Sequence, residues 1–136
     1  MTRYIAIIDY ADGMYGASFP DVPGCTGQAA SLDEVVSDAA DALAEWVADE
    51  LAEGRKAPRP RSAEELLRLD DVRHAIGSGG VLASVPLLQD SGEVARANIS
   101  MDAGLLAQVD ETARRVGLTR SAFLAAAARD RIKATP

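Results

Sequence analysis

Few side chains in the first 88 positions could do chemistry, and they are scattered. Asp9, Asp12 and Asp21 are the candidates for a metal-binding carboxylate set. Asp12 and Asp21 fall in turn sequences, where Asp is common because its side chain bonds nearby backbone. His74 is the only histidine and has no nucleophile beside it, so a surface or helix-end role is expected. Cys25 follows Pro-Gly without an evident base and reads as a packed, inert thiol. Gly77-Ser78-Gly79-Gly80 lacks the Gly-Lys-Ser/Thr of a phosphate-binding loop. No catalytic residue, no metal and no cofactor is expected. The remaining chemistry-bearing set is Arg96, Asn98 and Ser100, which alternate with Ala97, Ile99 and Met101. A strand puts alternate residues on opposite faces, so one face is apolar and the other carries a guanidinium, a carboxamide and a hydroxyl. Those groups suit DNA base edges: Arg to guanine, Asn to adenine, Ser to either.

The elements that would position these residues divide the chain. It has 136 residues, 48% apolar and 26% charged, a globular balance, with a net charge of -7. Such a charge opposes a simple nucleic-acid binder. It is unevenly placed: residues 1–88 sum to -8 and residues 89–136 to +1, with a polar, glycine-containing stretch over 89–94 that reads as a linker. No apolar run approaches the roughly 18–20 residues of a membrane span. The start has no cleavage signal and the single cysteine forms no internal disulfide, so a reduced, cytoplasmic protein with no membrane partner is expected.

In the front module, Arg3 to Tyr10 and Met14 to Phe19 read as a hairpin around Asp12-Gly13, and Cys25 to Ala29 as a short third strand. Ser31-Leu32-Asp33-Glu34 has capping-box spacing and opens a helix to about Glu53. Leu32, Val36, Ala39, Leu43, Trp46 and Val47 form its expected apolar side; Glu34, Asp38, Asp41, Glu45 and Asp49 lie opposite. Eight acids and no base fall between Ala29 and Gly54. They form either a solvated outer face or a docking surface for a basic partner. A basic Pro-containing loop follows, then a second helix from Ser62 and a fourth strand from Val81 to Leu88. The expected fold class is α+β, a small sheet with helices on one face.

Tyr15 to Cys25, with its Phe-Pro-Asp-Val-Pro-Gly-Cys core, followed by the acidic helix with Trp46, resembles the HicB family of antitoxins over most of residues 3–88. The resemblance implies a partial ribonuclease-H-like fold without nuclease activity. Its implied task is to bind and block a HicA-like basic toxin ribonuclease. Asp38, Asp41 and Glu45 are the toxin-facing candidates.

In the back module, over residues 95–136, Asp102 can cap a helix to about Val116, with Leu105, Leu106, Val109, Ala113 and Val116 as its apolar stripe. Gly117 ends it, and Thr119 can cap a second helix carrying Phe123, Leu124, Ala127 and Ala128. One strand and two helices in so short a segment bury too little to stand alone, and the strand has two open edges. Two copies pairing their strands about a two-fold axis would close one core. This pattern resembles the ribbon-helix-helix family, with Gly-Leu-Thr-Arg-Ser-Ala-Phe-Leu at the second helix start. Some HicB relatives carry a helix-turn-helix instead, which the alternation over 96–101 argues against.

The expected dimer core is Ala97, Ile99, Met101, Leu105, Leu106, Val109 and Phe123. Arg96, Asn98 and Ser100 are the expected base contacts in the major groove. Thr119, Arg120 and Ser121 are the expected phosphate contacts at a helix N-terminus. Together these readings predict a type II antitoxin that neutralises a toxin ribonuclease and represses its own operon as a homodimer or tetramer on operator DNA. An orphan ribbon-helix-helix regulator is the alternative, and a metal-dependent nuclease the remote one.

Overall fold

A computed structural model describes all residues, 1–136. The chain divides into a front unit, Met1–Gln89 together with Lys133–Pro136, and a back unit, Asp90–Ile132.

The front unit is built on four antiparallel strands: β1 (Arg3–Ala11), β2 (Met14–Ser18), β3 (Thr26–Ala29) and β4 (Val81–Pro86), in the order β3-β2-β1-β4. The β1–β2 hairpin turns at Asp12 and Gly13, whose φ values of 54° and 80° suit Asp-Gly in a two-residue turn. Tyr10 pairs with Tyr15 beside that turn, their rings 4.8 Å apart. The strict alternation of β1 gives the sheet two apolar faces. Tyr4, Ala6 and Ile8 join the core under the long helix α1 (Leu32–Ala52), with Ala17, Val85 and the α1 residues Val35, Ala39, Ala40, Leu43 and Val47.

Ile5 and Ile7 point the other way, against Leu66 of α2 (Ala63–Leu66) and Val72 and Ile76 of α3 (Asp70–Gly77). Helices therefore cover both faces, not the single face expected. The expected second helix is also two short ones. Leu69 adopts an extended conformation (φ -82°, ψ 133°) between them and packs beside Leu66 and Val72. Leu69 is half-buried in that position.

The apolar side of α1 is rotated from the expected one. Val35, Ala39, Ala40, Leu43 and Val47 are buried, whereas Leu32 is exposed and Val36 and Trp46 are half-buried. The hydroxyl of Ser31 accepts from Glu34 N at 3.2 Å, so the N-cap forms as the spacing predicts. Gly27 allows α1 to approach β3 closely: a Cβ there would lie 2.9 Å from Ala39 N.

The back unit holds α4 (Ala103–Arg115) and α5 (Arg120–Ala134). Asp102 Oδ1 accepts from Leu105 N at 3.0 Å and Thr119 Oγ1 from Ala122 N at 3.1 Å, so both expected caps are in place. Gly117, with φ 75°, ends α4 while Leu118 N bonds back to Ala113 O at 2.8 Å. No strand forms over 96–101 within the single chain, because no segment of the same chain is hydrogen-bonded to it. Of the expected stripe on α4 only Val109 and Ala113 are buried. Leu106 is half-buried, and Leu105 and Val116 are exposed.

Candidate functional site

Three places bear on function: the Phe-Pro-Asp-Val-Pro-Gly-Cys segment, the acidic face of α1 and the start of the back unit. The first is structural at every position that can be traced. Val22 N bonds to Phe19 O and Cys25 N to Val22 O, two successive turns that bring Phe19, Val22 and Cys25 to one side. All three are buried against α1. Burial raises the Cys25 thiol above its ordinary pKa, which makes it a poor nucleophile. The motif's acid turns back to the basic loop. Asp21 Oδ2 accepts from Arg61 N at 2.8 Å and Oδ1 from Arg61 Nε at 2.6 Å, with the Asp21 side chain 4% exposed. Tyr4 Oη donates to Pro58 O at 2.6 Å from the adjacent core. Burial, followed by the nearby Asp21 charge, raises the Tyr4 hydroxyl above the usual tyrosine value.

Two other cations of this loop are also engaged. Arg55 makes a two-point contact with Glu50 and Arg59 reaches Glu65. The hydrogen bond from Arg55 is the main reason the Glu50 carboxyl is lowered below its ordinary value. Glu65 is lowered chiefly by the Ser62 N–H of a complete capping box. His74 is exposed near the end of α3.

On α1, Glu34, Asp38, Asp41, Glu45 and Asp49 are all exposed. The three toxin-facing candidates are not equivalent. Asp38 Oδ2 accepts from the backbone N–H of Gln28 at 2.8 Å. Gln28 lies on β3, an edge strand, so Asp38 satisfies a donor that pairing within the sheet leaves unused. Lys133, which belongs with the front unit, lies 3.1 Å from Asp41 Oδ1. Glu45 is exposed. Below Asp38, Asp9, Ser18, Thr26 and Gln28 line an open depression of about 410 Å³. It contains two carboxylates, and nowhere do three His, Cys, Asp or Glu side chains converge to hold a metal ion. Asp9, Asp12 and Asp21 are not brought together: Asp9 is in the depression, Asp12 in the hairpin turn and Asp21 on Arg61.

In the back unit every residue from 91 to 100 is exposed, so Arg96, Asn98 and Ser100 face solvent, but so do Ala97 and Ile99. Ile99 is 64% exposed and Val94 fully so. Met101, Leu106 and Phe123 are half-buried and Val109 buried. Thr119 and Ser121 are exposed at the α5 start. Arg120 is engaged: its Nε and Nη2 donate to the two oxygens of Asp110 at 2.8 and 2.7 Å. Sequence reasoning missed the Asp21–Arg61, Asp38–Gln28 and Asp110–Arg120 contacts. The first spans 40 positions and the other two 10 each, and none follows a helical or strand period.

No helix is long and apolar enough to cross a membrane. No curated protein sequence matches the chain. A profile of the HicB-like antitoxins of bacterial toxin-antitoxin systems matches residues 4–128. The crystal structure of the Burkholderia pseudomallei antitoxin HicB is similar at a TM-score of 0.58 and 26% identity, over 95% of this chain and 97% of that one. The crystal structure of the antitoxin HicB3 is similar at 0.55 and 27% identity, over 96% and 98%. A chain in a HicA3 and HicB3 toxin-antitoxin complex shares the fold at 0.53 and 23% identity, over 65% of this chain and 99% of that one. With a family profile spanning nearly its whole length, the chain belongs to the HicB-like antitoxins of bacterial toxin-antitoxin systems and is an antitoxin, not an enzyme.

Proposed function

We propose that the front unit binds and blocks a HicA-like basic toxin ribonuclease, while the back unit pairs with a second copy and holds operator DNA, so that the antitoxin represses its own operon. One observation carries the toxin arm: Glu34, Asp38, Asp41, Glu45 and Asp49 of α1 are all exposed to solvent, with Lys133 paired to Asp41, in a chain of the HicB-like family. A basic ribonuclease is drawn to such a face, and long-range attraction raises its association rate. The fold shared with a chain of the HicA3 and HicB3 complex supports this arm.

The DNA arm rests on the segment 96–101. Alone, it leaves both its apolar and its polar side in water, together with Leu105, Val116 and Leu118. Exposed apolar side chains at this density mark an association surface. Antiparallel pairing of two such segments would bury Ala97, Ile99 and Met101 against α4 and α5 of both copies. Arg96, Asn98 and Ser100 would then face the major groove as one ribbon. Thr119, Arg120 and Ser121 would meet phosphates.

Co-expression with a small basic ribonuclease of the HicA type tests the reading. A stable complex, relief of growth arrest and a retarded upstream DNA fragment are expected. Asp41→Lys with Glu45→Lys should weaken the complex and slow its formation. Asp38 is left intact because its loss would also unmask the β3 edge. A complex of unchanged affinity and rate would remove α1 from the toxin interface.

A further inference from the structure

Arg120 was expected to meet a DNA phosphate, yet its guanidinium is already held. Nε and Nη2 make parallel bonds to Asp110 Oδ1 and Oδ2 at 2.8 and 2.7 Å. A guanidinium uses the same two-point geometry for a phosphate. Arg120 opens α5 and Asp110 lies within α4, so the pair spans the turn between the helices. Both side chains stay accessible, at 54% and 34% exposed. The pair draws the Asp110 carboxyl below its ordinary value, with Arg114 adding to the effect, and raises the Arg120 guanidinium. The pair thus favours the charged form of both groups.

The geometry points to Asp110 as an internal competitor for DNA: its carboxylate occupies the two donors of Arg120 that a backbone phosphate would take, and binding requires Arg120 to pass from carboxylate to phosphate. This rests on the reading that the back unit holds DNA. Its consequence is specific to backbone contacts. Exchanging one charge-assisted pair for another gains little, and the released carboxylate then lies near the phosphate. Phosphate contacts carry no sequence information, so Asp110 lowers affinity for all DNA and leaves discrimination to Arg96, Asn98 and Ser100. In a chain whose back half carries a net charge of only +1, one such carboxylate is a substantial adjustment.

Fluorescence anisotropy on the full chain decides it, with one duplex from upstream of its own coding sequence and one of scrambled sequence. Asp110→Asn should bind both duplexes severalfold more tightly, and by a similar factor. Glu111→Gln removes a neighbouring exposed acid and should give a much smaller gain. Adding Arg120→Ala to Asp110→Asn should abolish the gain. An Asp110→Asn variant no tighter than Glu111→Gln, or a double variant that keeps the gain, overturns the inference while leaving the DNA reading standing. No binding by any folded variant defeats the DNA reading and this inference with it. The wild-type chain gives a second reading should Asp110→Asn fail to fold. The Arg120 Nε–H resonance should move when either duplex is added, and a resonance that stays fixed overturns the hand-over.

Discussion

The two units bury their apolar residues very differently. In the front unit both sheet faces are covered, and Tyr4, Val22, Val35, Leu43, Val47, Leu66, Val72 and Val85 are at most 2% exposed. In the back unit Val109 and Ala113 are the only buried hydrophobics, and α5 has no buried residue. The front unit has the interior of an independent domain. A segment as short as the back unit with so small an interior lacks the burial that offsets chain entropy. On the proposed reading it obtains the rest from a second copy. The contrast teaches that the two halves of an antitoxin can differ in what completes them. The front is finished by its own chain, whereas the back presents apolar and polar faces together and, on the proposed reading, is finished by pairing.

Substitutions can break or sharpen this contrast. Leu43→Ala should have the largest effect, destabilising the front unit by about 2–5 kcal/mol, since its side chain is wholly buried. Denaturation midpoints should show the loss at every protein concentration. Asp21→Asn should cost about 1–3 kcal/mol by weakening a buried contact to the Arg61 guanidinium and backbone. Proteolysis should then open the loop over 54–61 first, and an unchanged cleavage pattern would deny Asp21 its anchoring part.

Asn98→Ala should leave stability within about 0.5 kcal/mol, being fully on the surface. On the proposed reading it should lose about 1–3 kcal/mol of discrimination at an operator adenine, read from competition between matched and altered duplexes. Ser62→Ala should cost about 1 kcal/mol by removing one arm of its capping box. The Glu65 carboxyl is lowered on folding, so its stabilisation is full at neutral pH and fades as pH falls through the folded value, below the ordinary carboxylate range. Unfolding measured from neutral to acid pH should show a shallower decline in Glu65→Gln.

Much of this architecture is legible locally. Asp12-Gly13 announces the hairpin, Ser31, Ser62, Asp102 and Thr119 announce helix starts, and Gly54 and Gly117 adopt the positive φ that ends helices. What stays hidden depends on distant partners. Alternation in β1 marks two apolar faces, but that α2 and α3 cover the second depends on how Leu66, Leu69 and Val72 fold back onto Ile5 and Ile7. The buried side of α1 is shifted to take in Val35 and Ala40, in place of Val36 and Leu32, while the close approach of Ala39 to Gly27 is a contact no helical period encodes. At the candidate sites the residue types were readable and their engagements were not. Asp38 reads as one acid of a stripe, yet it caps an edge strand. Arg120 reads as a free cation, yet it holds Asp110.

Sedimentation equilibrium of the full chain, beside an Ile99→Asp variant, tests most directly the claim that the back unit is completed by a second copy. Ile99 is 64% exposed in the single chain, so a charge there should be harmless to a monomer. The account predicts a wild-type mass of a dimer or its multiple, an Ile99→Asp mass reduced toward the monomer, and DNA binding lost with it while the front unit stays folded. A wild-type chain that remains monomeric at every concentration, or an Ile99→Asp variant that associates and binds DNA unchanged, would contradict it.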